Sequence, residues 1–194
     1  MSVRIATEQD IPAMLAIYRP YVENTTFSFE YEPPSLEEFT RRFRSYTAQF
    51  PWLVWEEQAQ VLGYAYAAAP FERTAYRWCA EPSIYLAPEA QGRGVGRQLY
   101  ALLEQILAAQ GYHVLYTVVT SENTGSVAFH QAVGYRTAAV FPNCGCKFGR
   151  WLGTVWLEKR LCCGKIPDSA PIPWPVFVKT DRNFLKVLDK MPLS

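Results

Sequence analysis

The sequence predicts an α/β protein: a mixed central β-sheet flanked by helices in a single domain, followed by a proline-rich C-terminal extension. Three observations predict it. A strand, a glycine turn and a helix follow one another from Ser83 to Gly111. Apolar runs of strand length come early in the chain, and strand–helix alternation comes later. From Gly164 the texture changes, with prolines at 167, 171, 173 and 175. Residues 1–163 are therefore expected to form the domain and residues 164–194 the extension.

Taken in order, Ser2 to Ala6 alternates as a first or edge strand. Thr7-Glu8-Gln9-Asp10 reads as a helix start, with Thr7 at the N-cap and early acids facing the dipole. The helix that follows carries Ile11, Met14, Leu15, Tyr18 and Val22 on one side. Asn24 to Pro34 reads as an ordered loop, too aromatic at Phe27, Phe29 and Tyr31 for a plain linker. Ser35-Leu36-Glu37-Glu38 has the spacing of a capping box, and Leu36, Phe39, Phe43 and Tyr46 continue as a core-facing stripe. Trp52 to Trp55 and Val61 to Ala67 flank a polar turn, the pattern of a β-hairpin.

The remaining elements lead into and out of the glycine turn. Ser83 to Leu86 is a strand, and Arg97 to Gln110 a helix with Leu99, Leu102, Leu103, Ile106 and Leu107 on one face. Gly111 stands where a left-handed cap is expected. Val114 to Val119 is a buried type of strand. The segment from Ser121 restarts a helix through Val133, ended by Gly134. Thr137 to Phe141 and Thr154 to Leu161 are further strands, joined by Asn143 to Gly153. In the extension, the prolines exclude a helix at first, and Phe177 to Leu188 is expected to form a short amphipathic segment. The extension is expected to dock on its own domain or on a partner subunit.

Composition excludes several function classes. With 49% apolar and 19% charged residues and a formal net charge of +1, the chain is no phosphate-backbone binder, and no nucleic-acid partner is expected. It has no apolar run long enough to cross a bilayer, so no membrane partner is expected either. Met1 leads directly into fold-forming sequence, which predicts a cytoplasmic protein. The five cysteines, Cys79, Cys144, Cys146, Cys162 and Cys163, are an odd number and are expected to be reduced thiols. The spacing of the last four is not that of common zinc sites, and no metal is expected.

The glycine turn, Gln91-Gly92-Arg93-Gly94-Val95-Gly96, is built to aim backbone N–H groups at an anion. The first N–H groups of a helix lack internal partners, and the dipole favours negative charge there. Glycines let the main chain approach a pyrophosphate, and Arg93 and Arg97 add positive charge. A Walker A loop would need Lys-Ser/Thr after Gly96, where Arg97-Gln98 stand. A dinucleotide fingerprint would need Gly-x-Gly-x-x-Gly and an acid after the next strand, which ends in Thr120-Ser121.

The pattern Gln/Arg-x-x-Gly-x-Gly/Ala fits at every defined position, and it resembles the acetyl-CoA pyrophosphate loop of the GCN5-related N-acetyltransferase (GNAT) superfamily. A second motif agrees. That superfamily carries an Asn at the start of a later helix, a Tyr seven residues on, and then Gly-Phe/Tyr. Here Asn123 is followed by His130 and Gly134-Tyr135, so His130 stands in the place of the usual Tyr. Asn24-Thr25-Thr26, the Phe71/Glu81 region and Cys146 to Trp151 resemble the phosphinothricin and methionine sulfoximine N-acetyltransferase subgroup. The resemblance covers residues 2 to 161.

The resemblance implies an acetyl-CoA-dependent N-acetyltransferase domain over residues 1–163, acting by direct attack of an amine on the thioester. It implies that Ile84, Tyr85 and Leu86 pair their backbone with pantetheine, that Gln91 to Arg97 bind pyrophosphate, and that Asn123 and Ser126 complete the cofactor site. Residue chemistry supplies the rest. A carboxylate can take the ammonium proton of the amine, and Glu81, at the start of the strand entering the loop, is the candidate base. His130 is the candidate donor to the departing thiolate, with a pKa suited to either role. Phe29, Phe71, Arg73, Tyr76, Arg77 and Lys147 are candidates for an acceptor pocket with an anionic group. Lys147 instead shaping the later hairpin or a dimer interface is the alternative. The expected acceptor is the α-amine of a small amino-acid-like molecule, and the expected assembly a homodimer. Acetylation of a peptide N-terminus or an aminoglycoside, and a non-catalytic acyl-CoA sensor, are the competing functions.

Overall fold

Alternation within each strand sorts the side chains of a seven-stranded sheet to two faces, and the helices cover them. The computed structural model describes residues 2–162, 164 and 166–180. Its strands are β1 (Ser2–Ile5), β2 (Trp52–Glu57), β3 (Gln60–Ala68), β4 (Cys79–Leu86), β5 (Val114–Thr120), β6 (Arg136–Lys147) and β7 (Arg150–Arg160). The helices are α1 (Ile11–Asn24), α2 (Leu36–Thr47), α3 (Val95–Gln110), α4 (Thr124–Ala132) and α5 (Trp174–Thr180). The expected mixed α/β architecture is the one observed.

The strand order is β1-β2-β3-β4-β5-β7-β6. In β2, Trp52 and Val54 face a cluster with α1 and α2, while Leu53 and Trp55 face the cluster built on α3. Burial on both faces is why this strand reads as an unbroken apolar run. Trp52 stacks on Tyr64 and Tyr66, with ring centroids 5.7 and 4.2 Å apart, under Phe39 and Phe43 of α2. On the opposite face, Leu99, Leu103, Ile106 and Leu107 of α3 are fully buried.

All pairings are antiparallel except β4 with β5, which run parallel. That pair is joined only at Cys79 with Val114 and Ala80 with Leu115. Beyond Ala80 the two strands part, and a cleft opens in the middle of the sheet.

Several expected boundaries move, each for a local reason. The helix α3 begins at Val95 rather than Arg97, because Gly94, at φ +79°, serves as its N-cap. Gly111 is left-handed as expected, at φ +96°. Thr7 caps a single 3₁₀ turn ahead of α1, where its N–H and hydroxyl both donate to the Asp10 carboxylate. The Ser35 hydroxyl accepts from the Glu38 N–H, while the Glu38 carboxylate takes Arg41 and Arg42. Leu36 is half exposed, since the first turn of α2 overhangs the core. The stretch from 143 to 153 is strand, not loop: β6 and β7 continue to a tight turn at Phe148 and Gly149, both at positive φ.

The extension packs on its own domain. Pro175 lies inside the first turn of α5, where a missing N–H costs nothing, so the prolines do not exclude a helix there. Trp174 and Phe177 are buried in the α3 cluster. The expected amphipathic segment to Leu188 runs past residue 180 and lies there outside the described residues, as does Cys163. Cys79, Cys144, Cys146 and Cys162 are unpaired.

Candidate active site

The cleft between β4 and β5 exposes a backbone edge inside the molecule. Tyr21 of α1 donates its hydroxyl to Leu86 O at 2.7 Å, and the Leu86 N–H faces the same oxygen at 3.4 Å. Tyr100 of α3 lies 3.1 Å from Pro82 O. Alternation puts the N–H and C=O of Ile84 on this same edge, between the two tyrosines. An extended amide-containing arm entering the cleft can therefore pair with Ile84 as a strand would.

One end of the cleft widens into a groove of about 420 Å³. Ile84, Leu86, Gln91, Gly92, Gly96, Asn123 and Ser126, all expected at the cofactor site, line it. Gly92 and Gly94 hold positive φ with open space where a Cβ would be, and Gly96 is pressed against Ile84 and Phe129. The N–H groups at the start of α3 face this groove without internal partners. Of the charged pair, Arg97 is exposed and has no side-chain partner among the described residues, whereas Arg93 is held by Glu57 at 2.8 Å and by Glu89 O. Val95 is buried, so only its backbone is available to a ligand. Asn123 caps α4 by accepting from the Ser126 N–H at 3.1 Å. Tyr85 turns its ring to Tyr18, Tyr21 and Tyr64, away from the groove.

The inner end of the cleft is a small cavity of about 80 Å³ lined by Ser83, Tyr100, Asn123, Ser126 and His130. His130 is 2% exposed. Its Nδ1 lies 2.7 Å from Ser126 O and its Nε2 2.8 Å from the Tyr100 hydroxyl. A carbonyl can only accept, so Nδ1 carries the proton and Nε2 accepts from Tyr100. Burial pushes the imidazole pKa down, and the ring is neutral. In this tautomer the Nε2 of His130, the candidate donor to the thiolate, accepts from the Tyr100 hydroxyl and carries no proton of its own.

Glu81 sits on β4 where the strands part, on the same face as Cys79 and Ser83. Burial pushes its carboxyl pKa up, with no compensating cation. Cys79 lines a larger cavity, of about 760 Å³, on the far side of Glu81 from Ser83. Phe71, Arg73, Tyr76 and Arg77 line this cavity as a group. The Phe71 and Tyr76 rings are 4.6 Å apart. Arg73 has no side-chain partner among the described residues. Arg77 donates its Nε to Thr74 O and lays its guanidinium over the Trp78 ring, 5.3 Å from the centroid, leaving its terminal nitrogens without a hydrogen bond.

Two expected acceptor residues lie elsewhere. Lys147 is 1% exposed, and its ammonium donates to Val22 O, Thr25 O and Ser28 O at 2.7 to 2.9 Å. All three of its protons are used in fastening the end of α1 and the loop after it. Phe29 lays its ring over Gly145, where a Cβ would come within 2.3 Å of it. Sequence reasoning did not single out Tyr21 or Tyr100, which stand beside the core stripes of their helices. Phe27, noted only as an unexplained aromatic, lines both the groove and the small cavity.

Comparison with known proteins agrees with this geometry. The family model described as an acetyltransferase (GNAT) domain matches residues 3–156. A phosphinothricin N-acetyltransferase of Alcaligenes faecalis is 41% identical over 167 residues, covering 84% of each chain. An L-methionine sulfoximine/L-methionine sulfone acetyltransferase of Pseudomonas aeruginosa is 35% identical over 164 residues, 82% of this chain and 94% of its own. The crystal structure of a GNAT superfamily phosphinothricin acetyltransferase from Sinorhizobium meliloti, in complex with acetyl-CoA, is 35% identical with a TM-score of 0.84. The match covers 91% of this chain and 97% of that one.

The glycine loop generates a binding prediction. CoA at about 100 times its dissociation constant should stabilise the fold by roughly 2.7 kcal/mol, read as a thermal shift. NAD and ATP should do much less, and Gly94→Val should lose most of the CoA shift relative to its own melting temperature. A larger shift with NAD or ATP would overturn the loop assignment.

Proposed function

The chain belongs to the acetyltransferase (GNAT) family, and from that premise we propose that its acceptor is the α-amine of a small amino-acid-like molecule of the phosphinothricin or methionine sulfoximine/sulfone type. It is an acetyl-CoA-dependent N-acetyltransferase. The single observation that carries the acceptor reading is the cavity holding Arg73 and Arg77 beside Phe71 and Tyr76. It lies one strand step from Glu81. Guanidinium groups with free terminal nitrogens suit a carboxylate or phosphinate through paired, charge-assisted hydrogen bonds. The same charges disfavour a polycationic aminoglycoside.

The residues then divide the reaction among themselves. Ile84 and the start of α3 hold acetyl-CoA along the cleft, which supplies the activated acetyl group. Arg73 and Arg77 bind the anionic end of the acceptor and turn its amine toward Glu81. Glu81 takes one ammonium proton, and the neutral amine forms the new C–N bond at the thioester carbonyl as the C–S bond breaks. The second proton, now surplus on the nitrogen, passes through water to the departing thiolate. Tyr100, oriented by neutral His130, turns its hydroxyl hydrogen toward the departing sulfur. Thus His130 acts as a positioning residue, and Glu81 later releases its proton to water.

We also infer a homodimer. Among the described residues, the face of β5, β7 and β6 bearing Val118, Phe141 and Trp156 carries no helix, only the Phe71 ring stacked on Trp156, and Val118 and Phe141 are 36% and 48% exposed. A second copy would cover this apolar face. A cytoplasmic location fits the acetyl-CoA requirement and the unpaired thiols. Among the described residues, no helix is long and apolar enough to cross a membrane. Sedimentation velocity on protein from the soluble cell fraction should give a dimer at micromolar concentration; a monomer there refutes the assembly.

Replacing Glu81 by Gln should lower kcat by about 10²–10⁴-fold while sparing the KM for acetyl-CoA. Because burial raises the Glu81 pKa, wild-type activity should fall with decreasing pH above the ordinary carboxylate range, and this limb should vanish in Glu81→Gln. The same shift has a stability sign. The folded state prefers the protonated acid, so the native contribution is present at low pH and lost as pH rises through the folded pKa. Glu81→Gln should accordingly melt above wild type at pH 7, with the gap closing in acid. A folded Glu81→Gln enzyme with wild-type kcat removes Glu81 from the mechanism.

Acceptors matched except for the α-carboxylate give the substrate test. The carboxylate-bearing member should have kcat/KM higher by about 10²-fold or more, since its absence leaves a guanidinium unpaired. Arg73→Ala should raise the acceptor KM and not that of acetyl-CoA. Equal kcat/KM for the two acceptors, or activity confined to peptides, would sink the assignment.

A further inference from the structure

The cavity that holds Arg73 and Arg77 is not closed by the acetyltransferase domain alone. Its walls are the end of α2, the 69–77 segment and, on the remaining side, Ala170, Pro171 and Pro173 of the C-terminal extension. The family match stops at residue 156, before this wall.

The wall is fixed in place by contacts that alternate with its lining residues. Ser169 O accepts from Trp78 Nε1 at 2.8 Å, just ahead of Ala170. Between the two lining prolines, the Ile172 N–H donates to Gln110 O at 2.8 Å, and Ile172 O accepts from Gln110 Nε2 at 2.8 Å. After Pro173, the Trp174 N–H donates to Gln49 O at 3.2 Å, and the Trp174 ring is buried in the core. The two glutamines that hold the segment are themselves joined, Gln110 Nε2 to Gln49 O at 3.1 Å. Pro171 and Pro173 lock φ, so the intervening backbone has little freedom left. A tail that merely trailed over the surface would not be pinned at three of six consecutive residues, Ser169, Ile172 and Trp174.

We propose that residues 169–174 are a specificity-determining wall that limits how long an acceptor side chain can be while its anionic end remains on Arg73 and Arg77. The proposal rests on the assignment of this cavity to the acceptor. A rigid wall discriminates by length because a side chain that overruns it must lift its charged end from the arginines or its amine from Glu81. Ala170 is the position at which the wall can be changed without loss of an anchor, since it is exposed and its side chain carries no hydrogen bond.

The experiment is steady-state kinetics of Ala170→Trp and Ala170→Leu on a series of α-amino acids of increasing side-chain length, from alanine to methionine sulfone and phosphinothricin. The bulkier wall should lower kcat/KM for the longest acceptors about 10-fold or more and for the shortest by less than about 3-fold. The KM for acetyl-CoA should be unchanged. Ala170→Leu carries the test should the larger substitution fail to fold. A loss equal at every length, or no loss in a folded variant while Arg73→Ala still raises the acceptor KM, overturns the wall and leaves the acceptor site standing. If neither Arg73→Ala nor Ala170→Trp changes the acceptor KM, the cavity is not the acceptor site and both readings fall.

Discussion

The parting of β4 from β5 after two paired residues is the constraint on which the rest of the molecule depends. A break in the middle of a sheet leaves backbone donors and acceptors inside the protein, and such groups must find partners. Tyr21 answers for Leu86, and the Tyr100 hydroxyl, whose hydrogen is turned to His130, stands 3.1 Å from Pro82 O; these contacts fix where α1 and α3 can lie against the strand. What is left over is the edge of Ile84, open to pairing. Glu81 comes at the fork itself, where there is enough burial to raise its pKa and enough opening to meet a substrate.

A second set of contacts holds the roof of the cleft. The loop after α1 carries Phe27 over the opening, and its aromatic residues, Phe27, Phe29 and Tyr31, are all exposed, so core burial does not anchor it. It is tied instead to the hairpin of β6 and β7. Lys147 reaches three loop carbonyls, and the Tyr31 hydroxyl donates to Cys146 O at 2.6 Å. Glu122 bridges Arg150 and the Thr26 hydroxyl. A fully desolvated ammonium with all protons engaged is costly to disrupt, since each abandoned carbonyl loses about 1–3 kcal/mol. The hairpin therefore serves the site without touching the chemistry.

What the sequence makes legible and what it hides follow from this division. The glycine turn, α3 and its left-handed cap can be read directly, because backbone conformations at positive φ admit few residues and glycine announces them. The β2–β3 hairpin and both helical stripes are legible from periodicity. Arg73, Arg77, Phe71 and Tyr76 lie within one short segment, so their meeting follows from chain proximity. Tyr21 and Tyr100 are hidden because each stands beside a core stripe and periodicity cannot tell a buried ring from a buried ring with a working hydroxyl. Lys147 looks like a ligand residue for the opposite reason: a lysine in an aromatic stretch suggests a binding site, and only its three carbonyl partners, over a hundred residues away in sequence, show a structural cation. The tautomer of His130 is set by the Ser126 carbonyl one turn earlier, but the partner of its other nitrogen, Tyr100, lies thirty residues back in the chain.

The burial of Trp174 and Phe177 in one cluster with Val3 and Ile5 has a bearing on how the protein is made. Domains tend to fold from the N-terminus as synthesis proceeds. Here the underside of α3 and the stacked Phe50 and Tyr112 rings are available early, yet the aromatic pair that completes their cluster is translated more than sixty residues after α3 ends. Until residue 177 has left the ribosome, the nascent chain displays an unfinished apolar surface. Contacts this distant in sequence also slow the final closure. The growing chain thus carries a site for chaperone capture, or for premature association with a neighbouring chain, that disappears only when the last wall of the cavity around Arg73 and Arg77 is set in place.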